Sequence, residues 1–166
     1  MGDPFFKGGK TIYTIHNLTT QGEFDVNVAE KIDFDKSQVK EGGMFYKDGK
    51  LNLTKAAILF SDFITTVSEN YAHEILTDDR IGFGFKDILE EKENKFEGIM
   101  NGVDYSVWSP EKDKYIPFKY SKEDLTPKQE NKKALLMRLG MPFKENTPVI
   151  GMISKLIELK GFDLLL

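Results

Sequence analysis

A chain of 166 residues has room for one domain, or for one domain and a piece of a second, and its 40% apolar content excludes a disordered tail. Its 23 Lys and Arg stand against 27 Asp and Glu, a formal charge of −4 that argues against nucleic acid as a partner, since that task needs clustered positive charge. There is no Cys for a disulfide, a thiolate zinc site or a Cys nucleophile, no stretch near the ~20 apolar residues of a membrane span, and no signal-peptide core, which leaves the cytoplasm as the expected compartment.

Lys10–Ile15 (KTIYTI) is rich in β-branched and aromatic residues and predicts a strand ending at His16-Asn17. Between Thr19 and Lys50 the periodicity is poor, and Gly22, Gly42, Gly43 and Gly49 mark turns, so loop or short irregular structure is expected. Leu53, Ala56, Ala57 and Phe60 follow helical spacing, with Asn52 as N-cap. Phe63–Val67 (FITTV) predicts a buried strand, and Ser68 then caps a helix carrying Tyr71, Ala72, Ile75 and Leu76 on one face. Helix, strand and helix in such close order favour an α/β fold with a parallel sheet.

Ile81–Phe85, with two glycines, is expected to be a flexible loop before a charged helix over Lys86–Asn94. Phe96–Met100 predicts a brief strand ending at Asn101-Gly102, and Val103–Tyr120 an irregular connector with aromatic anchors. Thr126-Pro127-Lys128-Gln129 has the form of a capping box, with Thr126 as N-cap of a helix that runs to Leu139 and ends at Gly140. Val149–Ile153 (VIGMI) predicts another strand, followed by Ser154–Gly161 and a second helix start. The chain ends on Leu164-Leu165-Leu166, an apolar stripe with nothing to cover it, so a cut chain and self-association through that surface are expected. A shift of composition near Asn94–Asn101 marks the candidate boundary between two α/β units.

Few residues carry chemistry. His16, one of two histidines, stands at a strand's carboxyl end, where open α/β sheets bind ligands; a loop histidine with no task is the alternative. His73 falls inside a helix and reads as a surface or packing residue, and two histidines this far apart give no metal-ligand spacing. Asn101 serves either as a turn residue or as an amide holding a sugar hydroxyl, since it supplies both donor and acceptor. Lys155 and Lys160 lie between a strand and a helix opening at Gly161, an arrangement suited to a diphosphate; a solvated lysine pair fits the same spacing. Glu90–Glu93 (EEKE) reads as a solvated helix face.

Longer blocks of the sequence resemble the bacterial glycogen synthase and plant starch synthase family. Lys10–Phe24, KTIYTIHNLTTQGEF, is similar to that family's KTVFTIHNLAYQGxF, and Leu53–Leu76 to its LKAGIxYAD-x-x-TTVSPTYAxEI. Gly82–Leu89 matches GYGLDGVL, and Gly98–Pro110, GIMNGVDYSVWSP, matches GILNGIDxxxWNP. Asn131–Gly140 and Ile153–Leu166 match NKxxLQxxLGL and VSRLTxQKGLDLL.

The resemblance implies a two-domain GT-B fold of paired Rossmann-like domains. Residues 1–97 would be the latter part of the acceptor-side domain, and 98–166 the linker and start of the nucleotide-sugar-binding domain. It implies transfer of glucose, with retention, from ADP-glucose to the non-reducing end of an α-1,4-glucan, without metal or resident cofactor. By the same resemblance His16 and Asn101 bind the donor sugar, and Lys160 neutralises the departing diphosphate. Lys155 stands where the family has arginine, exchanging a planar bidentate fork for a single point charge. Thr19-Thr20 replace Ala-Tyr, Glu69 replaces Pro, and Lys86-Asp87 replace Asp-Gly. The family's phosphate-cradling Lys-x-Gly-Gly loop would precede Met1, and its acidic motif would follow Leu166. The expected object is therefore a central fragment, inactive alone, with a non-catalytic glucan-binding or protein-interaction module as the competing reading.

Overall fold

The structure, a computed structural model, describes residues 4, 7–157 and 160–165. Glu158, Leu159 and Leu166, which belong to the lysine segment and the terminal leucine run, lie outside the described residues. Two compact units are distinguished, Met1–Gly102 and Val103–Leu166.

The first unit contains β1 (Ile12–Ile15), β2 (Glu23–Phe24), α1 (Val28–Lys31), β3 (Tyr46–Lys47), β4 (Lys50–Asn52), α2 (Leu53–Phe60), β5 (Phe63–Thr66), α3 (Glu69–Thr77), α4 (Asp79–Gly82), α5 (Lys86–Glu90) and β6 (Phe96–Gly98). β1, β5 and β6 form the expected parallel sheet in the order β1-β5-β6. Ile15, Leu18, Ile58, Ile64, Ile75, Phe85 and Leu89 bury around it, each fully buried large side chain contributing roughly 1.5–3 kcal/mol.

Capping follows the sequence at two helices. Asn52 Oδ1 accepts the Lys55 N–H at 2.8 Å at the start of α2, and Ser68 Oγ accepts the Tyr71 N–H at 3.2 Å at the start of α3. The buried face of α2 differs from the expected one. Thr54, Ala56 and Ile58 turn inward, whereas Leu53 and Phe60 are exposed. The helix is served from two sides: Ile58 enters the main core, and Phe60 lies 5.7 Å from the ring of Phe45 in a smaller cluster.

The segment expected to be irregular holds that smaller cluster. β2, β4 and β3 form an antiparallel sheet in that order, over a core of Ala29, Val39 and Leu51, with Phe34 packed edge-on to Phe45 at 4.5 Å. Strands of two or three residues are too short to display alternation, which hid them. Ile81–Phe85 is likewise not a free loop. Asp78 caps the single turn α4, Phe83 closes it at φ +48°, and Phe85 is fully buried. The charged helix stops at Glu90, and Lys92 directs its ammonium onto the carbonyls of Ile58, Leu59 and Ser61 at 2.7, 2.6 and 3.2 Å. Glu90, Glu91 and Glu93 are solvated as expected; Lys92 is not.

In the second unit α6 spans Thr126–Arg138 and ends in a Schellman motif, with Met141 N–H bonded to Leu136 O and Gly140 N–H to Met137 O at 2.9 and 3.1 Å. Thr126 is not its N-cap. Its own N–H is bonded to Asp124 Oδ1 at 2.9 Å, so the helix begins one residue early and Pro127 falls in its first turn. Tyr105, Trp108 and Tyr115 in the connector are exposed rather than anchoring. Val149–Ile153 forms no strand: it has no ladder partner among the described residues and leaves Ile150 and Ile153 in solvent.

Candidate functional site at the sheet's carboxyl edge

Parallel pairing sets Ile15 beside Thr66, and Thr66 beside Gly98, so β1, β5 and β6 end level with one another. His16 follows Ile15 directly and Ser68 opens α3 just past β5, whereas β6 ends at Gly98 rather than at the expected Met100, so that Asn101 comes three residues beyond it; His16 and Asn101 are both exposed. The two residues singled out in the first unit thus leave the same edge, from the outer strands on either side of β5.

Local packing explains the aim of both. Thr66 Oγ1 donates to the Ile15 carbonyl at 2.7 Å, tying the backbone before His16 to the neighbouring strand. Beyond His16, Asn17 Oδ1 accepts the Thr19 N–H at 2.8 Å, and Leu18 is buried, its N–H bonded to Tyr71 Oη at 3.3 Å. On the Asn101 side, β6 reaches its end against the first turn of α3. A Cβ on Gly98 would fall on the Ser68 carbonyl oxygen and 2.5 Å from Glu69 N and Cα, all backbone. Only glycine lets the strand pass there.

The perturbed carboxylates sit elsewhere. Asp62, before β5, bonds to Lys10 and Thr11, before β1, at the amino end of the sheet, and these contacts hold its carboxyl down to about 2. Asp78 is likewise held to about 2, by the Arg80 guanidinium and backbone N–H, while it caps α4.

The lysines belong to the second unit. Lys155 and Lys160 are exposed, with Ile157 N–H bonded to Lys155 O at 2.9 Å and Lys160 N–H to Ile157 O at 3.0 Å. The helix expected to open at Gly161 is a four-residue 3₁₀ turn, Phe162–Leu165. So short a turn gathers little dipole, and the pair offers its charge rather than a helix terminus. A cavity of about 780 Å³ in this unit lies instead between α6 and residues 145–151. Neither lysine lines it, and its own Lys132 is engaged with the carbonyls of Lys144 and Glu145 at 2.9 and 2.7 Å.

One pair escaped the sequence reading. Gln21 and Asn52 are buried and bonded to each other beneath the His16 loop. Asn52 was legible as a cap, but its second bond joins residues 31 positions apart, beyond any local pattern.

Comparison with known proteins identifies the family. Residues 1–91 match the family described as the starch synthase catalytic domain. The chain is 41% identical over 163 residues to glycogen synthase of Finegoldia magna, covering 98% of this chain and 34% of that protein. It is 40% identical over 165 residues to glycogen synthase 2 of Geobacter metallireducens, covering 99% and 34%. Among solved structures, the catalytic domain of starch synthase IV from Arabidopsis thaliana, bound to ADP and acarbose, matches with a TM-score of 0.83 and 32% identity over 98% of this chain and 34% of that one. The chain therefore spans about a third of the length of these relatives and carries part of their GT-B α/β fold. With the match across residues 1–91 and relatives 40–41% identical over 98–99% of its length, the chain belongs to the starch synthase catalytic-domain family.

Proposed function

We propose that this chain supplies part of the machinery that transfers glucose, with retention, from ADP-glucose to the non-reducing end of an α-1,4-glucan in the cytoplasm. The observation that carries the reading is the common edge: His16 and Asn101 leave the carboxyl ends of two parallel strands flanking a third, where open α/β sheets hold ligands. In this reading both side chains bind hydroxyls of the donor sugar. Residues 1–97 serve the acceptor-side domain, and residues 98–166 the linker and the nucleotide-sugar domain.

Lys160, with Lys155, meets the diphosphate. Departure of that group leaves negative charge on it and oxocarbenium character on the sugar. A fixed cation at the phosphates therefore acts more strongly on the transition state than on the ground state, and no metal or resident cofactor is needed. The relatives named as glycogen synthases, and the starch synthase structure holding ADP and acarbose, support this choice of donor and acceptor.

The test is glucosyl transfer from ADP-glucose to glycogen, measured in the protein at its natural length. Lys160→Ala is expected to lower kcat by the equivalent of roughly 2.7–4 kcal/mol of barrier, the scale for one such group, with glucan binding much less affected. His16→Ala is expected to lower kcat as well. A kcat within about threefold of the parent for both variants would refute the reading. The 166-residue chain assayed by itself is expected to incorporate no labelled glucose above a protein-free blank.

A further inference from the structure

The loop from His16 to Gln21 is closed from below by a directed chain of hydrogen bonds through two buried amides. Lys55 N–H donates to Asn52 Oδ1 at 2.8 Å, which leaves Asn52 Nδ2 as the free donor. That donor reaches Gln21 Oε1 at 2.8 Å, and Gln21 Nε2 in turn donates to the Leu18 carbonyl at 3.0 Å. The direction is imposed from both ends, by a backbone N–H at α2 and a backbone C=O in the loop. Flipping either amide would set like groups face to face. Asn52 is fully buried and Gln21 is 9% exposed, so water does not replace these bonds.

The loop is also docked on the helix by its main chain. Thr54 N–H bonds to Gln21 O at 3.1 Å, and Leu53 N–H to Gly22 O at 3.2 Å. With the Asn52 cap, the first three N–H groups of α2 are all satisfied, two of them by this loop. Gly22, at φ +61° with Leu53 beneath it, is where the chain turns away to β2.

We propose that the Gln21–Asn52 amide pair is a positioning element for His16, holding the Leu18 carbonyl two residues beyond it and so setting the course of the loop at the sheet's carboxyl edge. The contribution to sugar transfer rests on the reading of His16 given above; the mechanical role does not. An apolar pair of the same volume would fill the space but leave Leu18 O and Lys55 N–H without partners. Amides are therefore required here, for direction as well as for volume.

Two variants separate this role from simple support of the fold. Gln21→Glu keeps an acceptor for Asn52 Nδ2 but has no donor for the Leu18 carbonyl. Asn52→Asp keeps the α2 cap and removes the donor to Gln21. In hydrogen exchange, each is expected to speed exchange at Leu18 and Thr19 by about tenfold or more while leaving Ile75 and Leu76 unchanged. Unchanged loop exchange, or equal acceleration at all four positions, would overturn the proposal.

The catalytic consequence is read in the natural-length protein by a double-mutant cycle. Gln21→Glu is expected to lower kcat by about tenfold or more alone, misplacement of about 1 Å being worth up to 10²-fold, and to have no further effect in a His16→Ala background. An equal loss in both backgrounds, or no loss while His16→Ala is impaired, overturns the positioning role. If His16→Ala keeps full activity, the reading of His16 fails instead, and the exchange experiment alone decides whether the pair holds the loop.

Discussion

Asp62 illustrates what a single exposed side chain does when three donors converge on its carboxylate. It sits where the chain enters β5 and accepts from Lys10 Nζ at 2.9 Å, Thr11 N–H at 2.9 Å and Thr11 Oγ1 at 3.1 Å, so the starts of β1 and β5 are joined through one carboxylate. The Lys10 hydrogen bond, then that from the Thr11 backbone, holds its carboxyl at about 2, below the ordinary 3.8. A depressed carboxylate stabilises the fold fully above the unfolded value and loses that contribution as pH falls through the folded one. In urea unfolding, the stability difference between the parent and Asp62→Asn should hold constant above about pH 4 and shrink as pH falls toward about 2. A difference that is independent of pH over that range would show that the carboxylate's charge contributes nothing. Lys92 works by the same economy, its ammonium shared among three carbonyls at the end of α2.

Among the elements, the junction of β6 with α3 bears most on the candidate site. Gly98 ends the strand against the backbone of Ser68 and Glu69, and Ile99 N–H continues the ladder to Thr66 O at 2.8 Å before the chain runs on to Asn101. Backbone cannot yield as a side-chain tip can. Gly98→Ala is therefore expected to destabilise the first unit by about 1–3 kcal/mol, the cost of overpacking. The midpoint of chemical denaturation reads it; a variant within about 0.5 kcal/mol of the parent, the range of ordinary surface changes, would contradict the close approach. The antiparallel sheet β2-β4-β3 matters here as a support, because Asn52 at the end of β4 is also the cap of α2 and the partner of Gln21.

Across the whole molecule, apolar burial is uneven. Eleven of the twelve buried apolar residues, from Ile15 to Leu89, belong to the first unit, whereas Leu136 alone belongs to the second, among the described residues. Ile150, Ile153, Leu156 and Leu164 are exposed there. In limited proteolysis of the 166-residue chain, residues beyond Val103 should be cut well before Leu51–Leu76. Uniform resistance along the chain would show that the second unit has cohesion its burial does not supply. No helix among the described residues is long and apolar enough to cross a membrane.

Elements with a repeating pattern and a terminal signal were legible in the sequence alone: β1, β5, α3 with Ser68, the C-terminal end of α6 at Gly140, and the α/β rhythm that calls for a parallel sheet. So was the position of His16, because a strand's end is marked where its apolar run stops; at Asn101 the run outlasts the strand, which stops at Gly98. The tertiary structure decided the rest. Val149–Ile153 has the composition of a buried strand, yet becomes one only if another strand pairs with it, and none of the described residues does. Two-residue strands take their register from a partner rather than from alternation, and α2 turns inward the face that two separate cores select. The bond between Gln21 and Asn52 joins residues distant in the chain, and only the folded backbone brings their amides within 2.8 Å. Local pattern reports what a segment prefers; pairing, packing and long-range hydrogen bonding depend on what the rest of the chain places beside it.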